Sequence, residues 1–172
     1  MKLIKVLGLI SFALFATPSQ AETDMAQLIQ AFKQADQAFK ASVKPIAQLD
    51  PELAESQPGK QQPQLRAIQK TLLDAHVASY QNNYRLLEQC HQALPAAKRK
   101  RLTPLSEVAA ELSKTKQAET DFRQSLTLLS GSPSSEKDSI MYGLLYVHHS
   151  TAAMTDLIPC TLQLELAQLM AK

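Results

Sequence analysis

The sequence predicts an all-α protein: a four-helix up-down-up-down bundle with a short C-terminal helical extension after Pro159, closed by one disulfide. Apolar residues recur every three or four positions along four long segments. Proline and glycine separate these segments, and no segment alternates polar and apolar residues for long enough to indicate a strand. The two cysteines, Cys90 and Cys160, supply the disulfide.

The first predicted helix begins at Asp24, where Gln27 stands in the capping-box position. Asp50-Pro51 ends this helix. The stretch 51–63 contains three prolines, one glycine and several glutamines, so we expect an exposed Pro/Gln-rich linker there.

The second predicted helix covers residues 64–94 and is ended by Pro95. The third begins at Thr103-Pro104, with threonine as N-cap and proline at the first helical position, and stops before Gly131. Short turns at two of the three joints favour antiparallel neighbours.

The fourth predicted helix starts near Ser135, with Asp138 three residues later as a second capping box. Residues 139–155 contain no Asp, Glu, Lys or Arg. A helix that is apolar all round is normally covered all round, either by the last segment, 160–170, or by a partner. Pro159 is expected to bend or break the helix.

The N-terminal residues read as a secretory signal peptide. Lys2 and Lys5 precede an uncharged apolar run at residues 6–16, and small residues lead to a cut after Ala21. A membrane anchor is the alternative, but 11 helical residues span only about half of a ~30 Å hydrocarbon core. We therefore predict a cleaved signal peptide at 1–21, a single helical-bundle domain at 22–172, and a periplasmic or secreted protein whose mature chain does not insert stably in the membrane.

Cleavage changes the charge balance. The chain has 18 basic and 16 acidic side chains, for a net charge of +2, and both basic residues of the signal leave with it. A mature chain with equal numbers of each sign has no overall field to steer it onto nucleic acid, so no nucleic-acid partner is expected.

Cys90 and Cys160 are expected to pair in an oxidising compartment, the alternative being two free thiols. Both lie near the C-terminal ends of the second and fourth helices, and therefore at the same end of the bundle. These helices are diagonal in a square bundle, however, so the bend at Pro159 must bring Cys160 across.

No catalytic motif is present, and we expect neither enzymatic activity nor a cofactor. Glycine-rich phosphate loops and the common hydrolase and metalloprotease motifs are absent from the sequence. Glu88-x-x-His91 matches the ligand pair of di-metal bundles, but that fold needs the pair on two helices.

His76, Glu119 and His148 fall at similar heights along the predicted bundle. Two imidazoles and a carboxylate could bind a transition metal with an open coordination position. We expect instead a hydrogen-bonded polar layer, or side chains turned to water, and no metal.

Four tyrosines form the candidate interface: Tyr142 and Tyr146 on the fourth helix, and Tyr80 and Tyr84 on the second. Tyrosine tolerates both water and burial in a complex. The sequence thus predicts an exported, non-enzymatic protein that binds a macromolecule in the cell envelope, through a protein partner or self-association on the fourth helix. The alternative is a small metal- or cofactor-binding four-helix bundle.

Overall fold

The structure is a computed structural model that describes residues 20–130 and 132–170. Within these ranges it is helical, without strands, and the all-α bundle is confirmed. The elements are α1 (Gln20–Ala47), α2 (Pro51–Ser56), α3 (Gln62–Ala67), a π-helical turn (Ile68–Leu72), α4 (Leu73–Ala93), α5 (Ala96–Arg99), α6 (Leu105–Thr127), α7 (Pro133–Ala153) and α8 (Leu157–Met170). Nearly all of the predicted signal peptide, residues 1–19, lies outside the described residues.

Several predicted helix ends need correction. Asp24 does not begin α1, because residues 20–23 are already helical. Thr103 does not cap α6; the N-cap is Pro104, in extended backbone. Ser132 rather than Ser135 caps α7, and the Ser132 hydroxyl accepts a hydrogen bond from the Ser135 amide at 3.2 Å. Proline in the first turn of α7 needs no amide hydrogen, which explains the earlier start.

The second predicted helix is a continuous helical run over residues 62–93, formed by α3, the π-helical turn and α4. It ends as expected. Leu94 has extended backbone angles because it precedes Pro95, whose ring disfavours the helical conformation of the residue before it.

The segment 51–63 is largely exposed, as its composition predicts, but it is not an irregular linker, because it contains α2 and the start of α3. Asp50 caps α2 by accepting the Glu52 amide at 2.9 Å, and Ala54 is fully buried. The Gln61 side chain accepts the Asp50 amide at 2.8 Å and donates to the Asp50 carbonyl at 2.6 Å. Side-chain hydrogen bonds therefore close this segment into a packed structure.

Glu136, in the first turn of α7, holds the same segment from the other side. Its fully buried carboxylate accepts the backbone amides of Gly59 at 2.5 Å and Gln61 at 2.9 Å. Gly59 has φ +85°, a conformation that side-chain-bearing residues rarely adopt. The turn thus presents two amides to one carboxylate from a distant part of the chain.

Helical structure is interrupted by a turn between α7 and α8 at residues 154–156, earlier than predicted. Pro159 is the third residue of α8, where its missing amide hydrogen costs nothing. If α7 continued, the proline ring would clash with the carbonyl four residues earlier, at Thr155. Asp156, buried at this break, accepts the Thr103 amide at 2.6 Å and so fixes the start of the α6 segment.

The long helices alternate in direction. Between α4 and α6, Asp74 contacts Arg123 while Tyr80 contacts Glu119, so the two helices are antiparallel. Helices α6 and α7 are also antiparallel. Phe122 packs so closely on Gly143 that a Cβ atom there would lie 2.9 Å from its ring, whereas Glu111, earlier in α6, contacts His149, later in α7.

The last helix, α8, packs against α1 and α4 instead of folding back over α7. This position brings it beside the second helical run, and Cys90 pairs with Cys160 at a Cα–Cα distance of 6.2 Å. The expected difficulty of a diagonal disulfide is thereby resolved. None of the helices described here is both long enough and apolar enough to cross a membrane.

Candidate functional site

The three candidate metal ligands are not brought together. His76 is fully buried in the core, Glu119 is partly buried between α6 and α4, and His148 is exposed on α7. Among the described residues, no group of three histidine, cysteine, aspartate or glutamate side chains could hold a metal ion. His76 and Glu119 take part in two separate hydrogen-bonded clusters rather than in one layer.

His76 lies between two serines from two other helices. Its Nδ1 atom is 2.8 Å from the Ser42 hydroxyl, and its Nε2 atom is 3.1 Å from the Ser150 hydroxyl. Each serine is also placed to donate to a backbone carbonyl of its own helix: Ser42 to that of Phe39, and Ser150 to that of Val147. Burial lowers the pKa of His76 to about 4.

A neutral imidazole carries one N–H, so it can donate to only one of these serines. The other serine must donate its hydroxyl hydrogen to the unprotonated ring nitrogen, and it then loses its hydrogen bond to the backbone carbonyl. The geometry therefore matches a protonated ring, whereas burial favours the neutral ring. With no exposed surface, His76 is placed to hold three helices together rather than to transfer protons to a substrate.

A second polar cluster joins α4 to α6. Glu119 accepts the Tyr80 hydroxyl at 2.9 Å and pairs with Arg123 at 2.8 Å, and Arg123 also pairs with Asp74 at 2.6 Å. Burial, followed by the hydrogen bond to Glu119, raises the pKa of Tyr80. These groups satisfy one another across the helix pair, so the candidate ligand Glu119 has a structural role here.

Two of the four candidate interface tyrosines are core residues. Tyr80 and Tyr146 are buried, and their rings meet edge-on with centroids 6.4 Å apart. Burial is the main cause of the raised pKa of Tyr146, whose hydroxyl has no hydrogen-bond partner among the described residues. Because they are buried, these two tyrosines cannot face a partner. The sequence pattern alone does not distinguish an interface tyrosine from a core tyrosine.

The other two tyrosines differ from each other. Tyr84 is partly buried, and burial followed by the nearby Glu88 raises its pKa. Tyr142 is 42% exposed on the outer side of α7. Of the predicted interface residues, Tyr142 is therefore the one with a clear route to a partner.

Exposed large apolar side chains are concentrated in the C-terminal part of the bundle. All nine described examples lie from residue 128 onwards: Leu128, Met141, Tyr142, Leu145, Ile158, Leu162, Leu166, Leu169 and Met170. Of these nine residues, the predicted interface includes only Tyr142, because that prediction rests on tyrosines. The available signal was the composition of α8, whose only charged residue is Glu165.

A small hollow adjoins Tyr142 between α6 and α7. It has a volume of about 290 Å³, and Leu128 and Tyr142 supply its apolar wall. Asp121 and Asp138 line the same hollow. A partner side chain with an apolar stem would fit such a recess at the edge of an exposed apolar surface.

No protein-family model, curated protein or solved structure matches this chain.

Proposed function

We propose that this protein is exported to the cell envelope and acts there, without catalysis, by binding a protein partner through the outer side of α7. We call Met141, Tyr142 and Leu145 the α7 face; their exposed fractions are 51%, 42% and 45%. The observation that carries the proposal is that these three large apolar side chains, each about half exposed, lie within two turns of one helix. A group of exposed apolar side chains is typical of interaction surfaces.

The exposed groups favour binding over catalysis. The most perturbed histidine, His76, is sealed in the core, and the Glu119 carboxylate is engaged by Tyr80 and Arg123. A catalytic acid or base must reach the atom whose proton it transfers. The α7 face is apolar and aromatic, which suits recognition.

The charge balance favours a protein over nucleic acid as the partner. Without Lys2 and Lys5 the basic and acidic side chains are equal in number, so the chain has no net positive charge to attract a polyanion. The α7 face has Tyr142 at its edge, next to the hollow lined by Asp121 and Asp138. A partner that buries an apolar residue on α7 and places a basic residue near the hollow would complement both features.

The test is the double variant Tyr142→Glu and Leu145→Glu. Two carboxylates cost several kcal/mol to desolvate, so capture of the partner from a native envelope extract should be lost. Both side chains are exposed, and the circular dichroism spectrum and melting temperature should therefore stay unchanged. Capture is measured by mass spectrometry on immobilised protein with the disulfide intact.

The matched control is Ser113→Glu with Thr120→Glu, which adds the same charge to exposed positions of α6. The control should capture the same protein as the parent. Equal capture by the α7 variant and its control would overturn the proposal. Loss of capture together with a lower melting temperature would show that these residues stabilise the fold instead.

A further inference from the structure

A row of aliphatic side chains runs along the outside of α8. We call Ile158, Leu162, Leu166 and Leu169 the α8 stripe; they follow at intervals of four, four and three residues, and are 54%, 52%, 45% and 67% exposed. Residues at this spacing lie on one face of a helix. Met170, 76% exposed, extends the stripe at its end.

The opposite face of α8 is already used by the bundle. Leu157, Cys160 and Leu164 are buried, and α8 packs on α1 and α4. The stripe is therefore a second apolar face that no described part of the chain covers. Glu165, beside it, pairs with Lys33 of α1 at 2.7 Å, which leaves the stripe without an uncompensated charge.

We propose that the α8 stripe is the contact surface between two copies of this chain, which pair antiparallel about a two-fold axis between Leu162 and Leu166. In this arrangement Leu162 of one copy lies opposite Leu166 of the other, and Ile158 lies opposite Met170. A two-fold contact requires a self-complementary surface, and an aliphatic row of this kind is complementary to its own reverse. Glu165 lies one residue from this axis, where its ion pair with Lys33 of the same copy compensates its charge.

The area of the stripe is consistent with a weak specific dimer. Side chains at about half exposure, with Met170, offer on the order of 500 Å² per copy, so a pair buries roughly 1,000 Å². That value lies at the lower limit for a specific interface, the range of weak and transient complexes.

A membrane surface is a less suitable occupant. Helices that lie in the membrane interface carry Lys or Arg along their polar face, whereas α8 has none, and its second face is buried in the bundle. The proposed dimer also does not depend on the α7 face, since the two surfaces share no residue. Either proposal can therefore fail without the other.

The test is sedimentation velocity of the mature protein, with its disulfide intact, from about 1 µM to about 500 µM, the range that brackets a micromolar constant. The parent protein should pass from monomer to dimer. The variant Leu162→Glu with Leu166→Glu should remain monomeric throughout, which corresponds to at least about a 100-fold weaker association. The neutral variant Leu162→Ser with Leu166→Ser should also weaken the dimer, which distinguishes lost apolar contact from added repulsion.

Ser113→Glu with Thr120→Glu, at exposed positions of α6 outside both surfaces, is the matched control and should dimerise like the parent. Circular dichroism and the melting temperature of the dilute monomer check that each variant is folded. A parent protein that stays monomeric, or a dimer that persists in both α8 variants, would overturn the proposal. Binding of the monomeric parent to neutral phosphatidylcholine vesicles through the stripe would also overturn it and assign the stripe to lipid.

Discussion

His76 has two serine partners and, in its neutral form, one ring proton to offer them. Ser42 and Ser150 both have carbonyls within reach, at 2.8 Å and 3.1 Å, so each can be satisfied without the histidine. Both serines could therefore accept from a doubly protonated ring, but burial opposes its charge and makes the protonated ring unfavourable in the folded state.

Stability should fall as the solution is acidified. The pKa of His76 is lowered from 6.5 to about 4, so the unfolded chain takes up a proton at a higher pH than the folded chain. The stabilisation is complete above pH 6.5 and is lost as the pH falls towards 4. We expect the free energy of unfolding in urea to decrease by about 2 kcal/mol between pH 7 and pH 5, where most carboxylates remain ionised.

His76→Leu should remove most of this pH dependence, and it should fold because both serines retain their carbonyl partners. His148→Gln, at an exposed position, is the control and should behave like the parent. An unchanged slope in His76→Leu would show that another group causes the acid sensitivity.

At the scale of the elements, the buried carboxylate of Glu136 links α7 to the segment before α3. Its carboxylate accepts the backbone amides of Gly59, 77 positions earlier in the sequence, and of Gln61, 75 positions earlier. A buried amide that loses its acceptor costs about 1–3 kcal/mol. This contact therefore matters more than surface ion pairs such as that between Lys40 and Asp36.

Glu136→Gln should lower the free energy of unfolding by about 2 kcal/mol, because its amide N–H₂ would face one of the two backbone amides as a second donor. The measurement is urea unfolding, with amide hydrogen exchange at Gly59 and Gln61. Asp138→Asn, two residues away and exposed, serves as the control. Slow exchange at both amides in the Glu136 variant would contradict the role given to this carboxylate.

The four long helices and the class of fold could be predicted from the sequence, because apolar spacing and proline positions are local signals. The structure of residues 51–63 could not, since it depends on Glu136, which lies more than 70 positions later. The sequence also predicts the break after α7 at Pro159 itself, but the steric effect of this proline falls four residues earlier, at Thr155.

The candidate site was predicted less well than the fold. Spacing along a helix indicates which residues share a face, but not which face is covered by the rest of the molecule. Tyr142 and Tyr146 illustrate this, since they are four residues apart and yet one is exposed and the other fully buried. The position of α8, on α1 and α4, leaves the α7 face uncovered, and no local pattern specifies that position.

At the scale of the whole molecule, the disulfide should contribute a large part of the stability. Cys90 and Cys160 are 70 residues apart. Closing a loop of that length stabilises by about 4 kcal/mol in the chain-entropy model, so Cys90→Ala with Cys160→Ala should lower the free energy of unfolding by about that amount.

Non-reducing mass spectrometry checks the covalent structure of the same protein isolated from its native host. We expect one cross-linked peptide that contains Cys90 and Cys160, and a chain mass that begins at Glu22. The mass of two free thiols, or a chain that still begins at Met1, would contradict the predicted export and pairing.

The same cross-link closes a covalent ring around everything between α4 and α8, including the paired helices α6 and α7. The turn between these two helices carries Leu128, which is 66% exposed. A protease that cuts there opens the ring but releases no fragment, because each half stays attached through the sulfur bridge. The nicked protein therefore keeps its two halves covalently joined.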